Sequence, residues 1–509
     1  MNLSFQPTGH TFDRGLTARG QRAGDRYVLW LGGALLGYAL LSRSFAYLGV
    51  PPLFIGEILL VAGLVAVVRA GRVGPLFRQP AAWLMAALVA LAAARTLPYV
   101  GEHGLDAPRD FMMIGYAAYA VILGGLVVAR PERLVTLLEK YRVFAVVMVS
   151  AVWLVYLVYK TAETSIPLLP WSGGTRMIEA KGGDIMVHLC GITVFVVMGL
   201  MRRTPLLLLA LAANTGIVVA SNRGGMVAYA AGCGLAYRLR PPEARVGRLA
   251  YAFVLFVALG LLAGPLASIN GGGRSISIDQ IVLNVQSVFG QGDTHLDGTK
   301  KWRLLWWEKI IGYTVDGPYF WTGRGFGINL AVADGFAVVK ELRSPHNGHM
   351  TVLARMGVPG LALWLAMLGA WAAELLRQWL RARRAGRHRW MALFAFLAAY
   401  MAAILLNASF DVFLEGPMGG IWFWSVFGLG LAACSLHAHR PDVLLDSDAP
   451  LGHDRPAAEP AAPSAPAASL RGWGGLVAPA ARAEPAGARG GPGRSPGPAR
   501  SQPLPAARW

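Results

Sequence analysis

Six residues carry most of the chemistry this chain offers: Arg223, Arg303, Arg324, Arg343, His346 and Asn347. A guanidinium is a planar, permanently charged fork that binds phosphate oxygens two at a time, and a diphosphate near a bilayer surface calls for several of them. A histidine titrates near neutral pH and can take a proton from an attacking hydroxyl. Each residue also has an ordinary reading. An arginine can snorkel to headgroups, a basic loop face can be solvated, and a lone loop histidine is most often structural or exposed.

The local sequences decide how far each reading goes. Arg223 lies in Ser221-Asn222-Arg223-Gly224-Gly225, at the junction between two apolar runs. A guanidinium at mid-bilayer costs about 2.5–3.5 kcal/mol, less near the edge, so it is rarely there without a partner. The two glycines let another backbone or a ligand come close. Lys300, Lys301, Arg303, Arg324 and Arg343 give one long loop a basic face. His346 lies in Ser344-Pro345-His346-Asn347-Gly348-His349, just before the next apolar run, whereas His349 and His295 have nothing further to single them out. Gly323-Arg324-Gly325-Phe326-Gly327 imitates a nucleotide loop but follows no strand of a βαβ unit, and reads as a tight turn. Asp446-Ser447-Asp448, which imitates a metal-binding acidic pair, lies in a stretch without periodicity and is discounted. No carboxylate or histidine cluster suggests a catalytic metal. Cys190, Cys233 and Cys434 all fall in apolar runs, without the spacing of a disulfide framework or a metal site.

The elements that must position these residues are membrane helices. The 509 residues are 55% apolar and 15% charged, and the apolar ones come in runs of bilayer-spanning length. Spans are expected at about 27–48, 52–69, 81–99, 110–129, 142–160, 184–201, 204–221, 224–238, 249–268, 355–376, 390–408 and 417–437, giving an all-α polytopic protein of about twelve helices. The connecting loops alternate in charge. One set is rich in arginine, including Arg14–Arg26, Arg69–Arg78, Arg130–Arg142, Arg202–Arg203, Arg238–Arg248 and Arg377–Arg389. The other is poorer in cations and holds Glu102, Asp106, Asp110, Glu163, Glu179, Asp411 and Glu415. The positive-inside rule puts the first set and both termini in the cytoplasm. The net charge of +19 clusters beside apolar runs, so topology and anionic headgroups account for it, and nucleic acid is not an expected partner.

The domain plan is therefore a cytoplasmic segment 1–26, too polar and basic for a cleavable leader, then spans 1–9 over 27–268. A large outward-facing loop follows over 269–350, then spans 10–12 over 351–440, and a disordered cytoplasmic tail over 441–509. A loop as long as 269–350 is usually functional, and an amphipathic helix at 299–313, with Trp302, Trp306 and Trp307, suits the membrane interface. The tail is dominated by Pro, Ala, Gly and Arg.

Taken in order, these pieces resemble the O-antigen ligase and polymerase superfamily of membrane glycosyltransferases. Ser221-Asn222-Arg223-Gly224 is similar to that family's Ser-Arg-Gly element, with Asn222 in place of a small residue or serine. Trp302-Arg303 through Trp307, with Trp321 to Gly327, is similar to its Arg, Trp and Gly-x-Gly-x-Gly stretch. His346-Asn347, continuing to Leu353, Gly357 and Gly360, resembles its His-Asn element and the Gly-x-x-Gly that opens the next span. The resemblance implies a GT-C-like fold in the bacterial inner membrane and a reaction that needs neither cofactor nor metal. The donor would be a glycan on undecaprenyl diphosphate. The acceptor would be lipid A–core in a ligase, the leading expectation, or a second lipid-linked glycan in an O-antigen or exopolysaccharide polymerase. It also implies that His346 serves as base, supported by Asn347, and that Arg223, Arg303, Arg324 and Arg343 bind the diphosphate. A lipid-linked oligosaccharide transporter is the alternative of another class. It would place ionisable groups at mid-membrane, where these spans have almost none.

Overall fold

A backbone in hydrocarbon has no water to bond to, so an apolar run of bilayer length closes its own hydrogen bonds as a helix. The computed structural model describes residues 10–219, 222–242, 244, 294–337 and 342–444. Helices cover eleven of the twelve expected spans: His10–Leu41, Ile55–Ala70, Pro80–Thr96, the pair Asp106–Gly115 and Ala117–Ala129, Glu132–Ala162, Gly182–Val197, Pro205–Val219, Arg223–Leu239, Gly348–Arg384, His388–Ala408 and Pro417–His439. The expected span 249–268, residues 269–293 of the long loop, Ser221 and the tail from 445 onward lie outside the described residues. Among the described residues, six helical stretches are long and apolar enough to cross a membrane: Pro80–His103, Asp106–Ala129, Glu132–Ser165, Gly348–Arg384, His388–Ala408 and Pro417–His439. The chain is a multi-pass, all-α membrane protein, with one two-stranded hairpin, Gly49–Val50 with Leu53–Phe54, between helices.

Lipid supplies no hydrophobic drive between helices, so small residues that let backbones approach set the packing. A Cβ on Gly428 would fall 2.3 Å from the Ala120 carbonyl oxygen, and one on Gly232 would fall 3.0 Å from that of Ala399. Those glycines seat Pro417–His439 against Ala117–Ala129, and Arg223–Leu239 against His388–Ala408. Aromatic rings fill the middle, with Trp364, Phe423, Trp424, Phe427 and Trp371 meeting face or edge.

The two loop sets gather at opposite ends of the bundle. At the basic end Arg133 reaches Asp25 at 2.8 Å, Arg142 donates to the Leu200 carbonyl and Trp379 to that of Leu239. At the other end Ser42 donates to Asp184 at 2.9 Å, Arg343 pairs with Asp106 at 3.2 Å, and Thr351 donates to Glu415 at 2.9 Å.

The stretch from 294 to 348 is built onto that second end. Its helix, Thr294–Thr314, contains the expected 299–313. Trp306 and Ile310 are fully buried against Leu330, Ala331, Leu353 and Ala354, and the Trp306 indole donates to Asp334 at 2.8 Å. Leu304, Leu305 and Ile311 stay exposed on the other side.

Several boundaries differ from expectation: the first helix begins at His10 rather than near 27, the fifth span's helix at Glu132 rather than near 142, and the shift of the tenth span has a local cause. The tenth span begins at Gly348 rather than near 355, because Gly348–Arg384 is two helices joined at Gly357 (φ 67°), with Pro359 just beyond. The break frees carbonyls that must find donors. Arg324 N–H donates to the Ala354 oxygen at 2.8 Å and Gly325 N–H to that of Arg355 at 3.0 Å, while Val358 N–H donates to the Phe320 oxygen at 2.8 Å. The Gly-Arg-Gly-Phe-Gly segment is thus the expected turn, and it seals a broken helix. Gly323 has φ 58°, and a Cβ there would lie 2.3 Å from the Arg355 backbone, so only glycine fits.

Candidate functional site

The site is assembled around one short connection, residues 409–416, between the last two described spans. Four other pieces of chain converge on it. The first is the entry to Gly182–Val197, where a Cβ on Gly183 would lie 2.8 Å from Asn407 Oδ1, 3.3 Å from Asn222 Nδ2 and 3.5 Å from Asp411 Oδ2. The second is the start of Arg223–Leu239, where Asn222 accepts the Gly225 N–H at 2.7 Å as N-cap and Gly224 faces the Phe410 side chain. The third is Arg303, whose Nη1 donates to the Phe410 carbonyl. The fourth is His346.

His346 holds a left-handed backbone conformation (φ 54°) that an L-residue adopts only when its neighbours impose it. Both neighbours are fixed. The Trp307 indole donates to the Pro345 carbonyl at 2.9 Å, and Asn347 caps the next helix by accepting the His349 and Met350 N–H groups at 2.9 and 3.1 Å. The ring stands edge-on to Trp302 at 6.1 Å, with Nδ1 3.5 Å from Asp411 Oδ1. That separation is electrostatic contact rather than a formed hydrogen bond, and Nδ1 is a buried atom without a hydrogen-bond partner.

Asp411 is held in turn by Lys181, whose Nζ is 3.0 Å from Oδ1 and donates to the Val412 carbonyl at 2.7 Å. Burial works to raise the Asp411 carboxyl, but Lys181 and His346 outweigh it and hold it well below the usual carboxylate range. Burial pulls the Lys181 ammonium down, and Asp411 and Asp184 more than restore it. The Asp411 carboxylate gives stability above its unfolded value, lost only as pH falls through the depressed folded one, so the pair stays charged throughout the physiological range. Burial raises Glu415 nearby. Burial lowers Arg303 against the opposing pull of Asp411.

The six residues singled out by sequence therefore divide. His346, Asn347, Arg303 and Arg223 lie on or beside the turn that opens this connection, residues 407–411, where the Phe410 N–H donates to the Asn407 carbonyl at 3.0 Å. Arg324 and Arg343 do not join them as open phosphate forks. Arg324 Nη1 is 2.9 Å from Asp334, whose side chain is fully buried, and its guanidinium lies over the Tyr313 ring at 4.2 Å. Arg343 bridges Asp106 and Asp110 at 3.2 and 3.0 Å and donates to the Gly327 carbonyl at 2.8 Å. Both are committed to carboxylates that hold the outer segment in place.

Sequence reasoning misses Lys181 and Asn407, and it counts Asp411 only as a loop charge. Lys181 leaves one signal, a lysine in a cation-poor loop three residues before an acidic residue in the next apolar run, Asp184. Asn407 leaves none. Beside this turn Arg303 Nε and Asn407 Nδ2 are buried donors without a hydrogen-bond partner, which is how donors stand when they are set for an anion. Arg324 Nε and Arg343 Nε are unpartnered too, but on guanidiniums already paired with carboxylates.

Asp411→Asn removes the charge that faces both Lys181 and His346. We expect any activity that depends on His346 to fall about 10-fold or more from misplacing the ring by a fraction of an ångström. Lys181→Met with Asp411→Asn should be less damaging to folding than Asp411→Asn alone, since both partners then leave together. Membrane yield and melting temperature of the two variants check this.

No curated protein matches the chain. Residues 206–365, which contain Arg223, Arg303, Arg324, Arg343, His346 and Asn347, match the family model described as O-antigen ligase.

Proposed function

We propose that the protein transfers a glycan from undecaprenyl diphosphate to an acceptor hydroxyl at the end of the bundle that carries His346, as an O-antigen ligase with lipid A–core as acceptor. The coarser statement, a glycosyltransferase-like enzyme acting on lipid-linked glycans, follows from the superfamily. The observation that carries transfer to a hydroxyl is His346, locked in a left-handed conformation with one ring nitrogen turned to Asp411, while the choice of ligase rests on the description of the matching family model. An Asp411 carboxylate facing Nδ1 favours the tautomer with its proton there, which leaves Nε2 as the base.

The acceptor hydroxyl would give its proton to Nε2 as its oxygen bonds to the anomeric carbon. The bond from that carbon to the diphosphate breaks, and the lipid diphosphate leaves with the electron pair. Charge grows on the leaving oxygen, where Arg223 and Arg303 would stabilise it. In this reading Asn347 supports His346 by fixing the helix start, while Arg324 and Arg343 hold the outer segment rather than the diphosphate. The basic loops, the segment 1–26 and the tail 441–509 lie on the cytoplasmic face by the positive-inside rule, with 269–350 on the opposite face of the inner membrane.

Complementation of a strain deleted for this gene, with Arg223→Ala and Arg303→Ala at matched membrane levels, tests the reading. Each variant is expected to lose about 10²–10³-fold in transfer, with lipid-linked glycan accumulating. Long glycan chains would mark a ligase. Accumulation of single repeat units would mark a polymerase and overturn the choice of acceptor. Normal surface glycan in both variants would overturn the site and favour a transporter.

A further inference from the structure

A cavity of about 210 Å³ opens at the same end of the bundle. Tyr156, Tyr159 and Lys160 at the end of Glu132–Ala162 form one wall, Glu179 and Lys181 another, and Asn222 a third. It is continuous with the site just described, because Lys181 is the partner of Asp411 and Asn222 lies against Gly183 beside Asp411.

Its size suits a sugar ring rather than an ion. Its chemistry does too: two tyrosine side chains line one wall, and Glu179 offers a carboxyl to hydroxyls. The cations decide which kind of sugar. Lys181 is committed to Asp411 at 3.0 Å and Arg43 acts on Glu179, whereas the Lys160 ammonium lies 5.9 Å from the Tyr156 ring and, among the described residues, pairs with no carboxylate. A single compact ammonium balances one carboxylate, while a diphosphate carries more negative charge than it balances, is better met by guanidinium forks, and is repelled more strongly than a lone carboxylate by Glu179 in the same wall.

We propose that this cavity is a subsite for one ring of the transferred glycan, a sugar bearing a carboxylate, and that Lys160 recognises that carboxylate. The inference rests on the transferase reading and names a feature of its substrate. Lys160 is a specificity residue here, with no part in the bond-making step.

The test is the melting temperature of the purified full-length protein in detergent with methyl glucuronoside, methyl glucoside or inorganic pyrophosphate, for wild type, Lys160→Gln and Lys160→Arg. The glucuronoside should stabilise wild type by about 1–2 °C more than the glucoside. Lys160→Gln should erase that difference and Lys160→Arg should keep part of it. Equal stabilisation of wild type by both glycosides, or by neither, would overturn the proposal. So would stabilisation by pyrophosphate that depends on Lys160. The wild-type comparison decides the matter even where a variant fails to fold. A protein that prefers the glucuronoside yet transfers no glycan would remove the transferase reading and leave the subsite standing.

Discussion

His346→Ala is expected to lower glycan transfer about 10²–10⁴-fold, the usual worth of a positioned general base, with little loss of stability. The two halves of that expectation have separate causes. The rate falls because no other described imidazole stands beside the 407–411 turn in an equivalent position: His349 is turned inward, accepting the Trp364 indole N–H at 3.0 Å. Stability holds because the residue sits at φ 54°, where any side chain is strained, and its ring is only edge-on to Trp302. His346→Gly should be at least as stable as wild type, since glycine alone adopts that conformation freely. Initial rates with lipid-linked donor, and melting curves for the three proteins, check both halves. Partial recovery of the alanine variant by added imidazole would identify the missing group as a base. A rate near that of wild type would remove His346 from the mechanism.

Asp110→Ala is expected to be strongly destabilising, by about 3–5 kcal/mol. Asp110 Oδ2 receives Arg355 at 2.9 Å, Arg343 at 3.0 Å and the Gly327 N–H at 3.2 Å. Arg355 is almost wholly buried, with a side chain 4% exposed; its other hydrogen bonds go to the Gly325 and Ile328 carbonyls, and its guanidinium lies over the Phe326 ring at 5.7 Å. Removing the carboxylate leaves a buried guanidinium without its countercharge and loosens the turn that closes the helix break at Gly357. Asp110→Ala with Arg355→Met should recover part of the loss, because an apolar pair needs no countercharge. Thermal melting in detergent decides this, and an unchanged melting temperature for Asp110→Ala would show that the hub is not what docks the outer segment. Activity should fall with stability, since Arg303 and His346 belong to the segment that Asp110 anchors.

These two sites show why some of the protein could be read from sequence and some could not. Helix positions follow from apolar runs because lipid leaves the backbone no other way to satisfy its groups. That made His388–Ala408 and Pro417–His439 readable to within two residues at each end. The alternation of basic and cation-poor loops is likewise a one-dimensional property, and the opposite ends of the bundle reflect it. His346 and Arg303 were legible because a residue type with few structural uses stood beside a span or among tryptophans. The glycines of 323–327 announced a turn, but nothing local to them indicated that the turn would close a helix break at Gly357.

Tertiary structure alone decided which charges face each other. Lys181 and Asp411 are 230 residues apart in the chain and 3.0 Å apart in space, and no periodicity links them. The same limit separated the arginines. Arg303 and Arg324 look alike in a basic loop, yet one reaches the Phe410 carbonyl beside the site and the other is held by a buried aspartate. Residue type determines the charge a position brings. The dielectric around it and the partner in contact with it, which settle whether that charge is free for a substrate, exist only once the helices have packed.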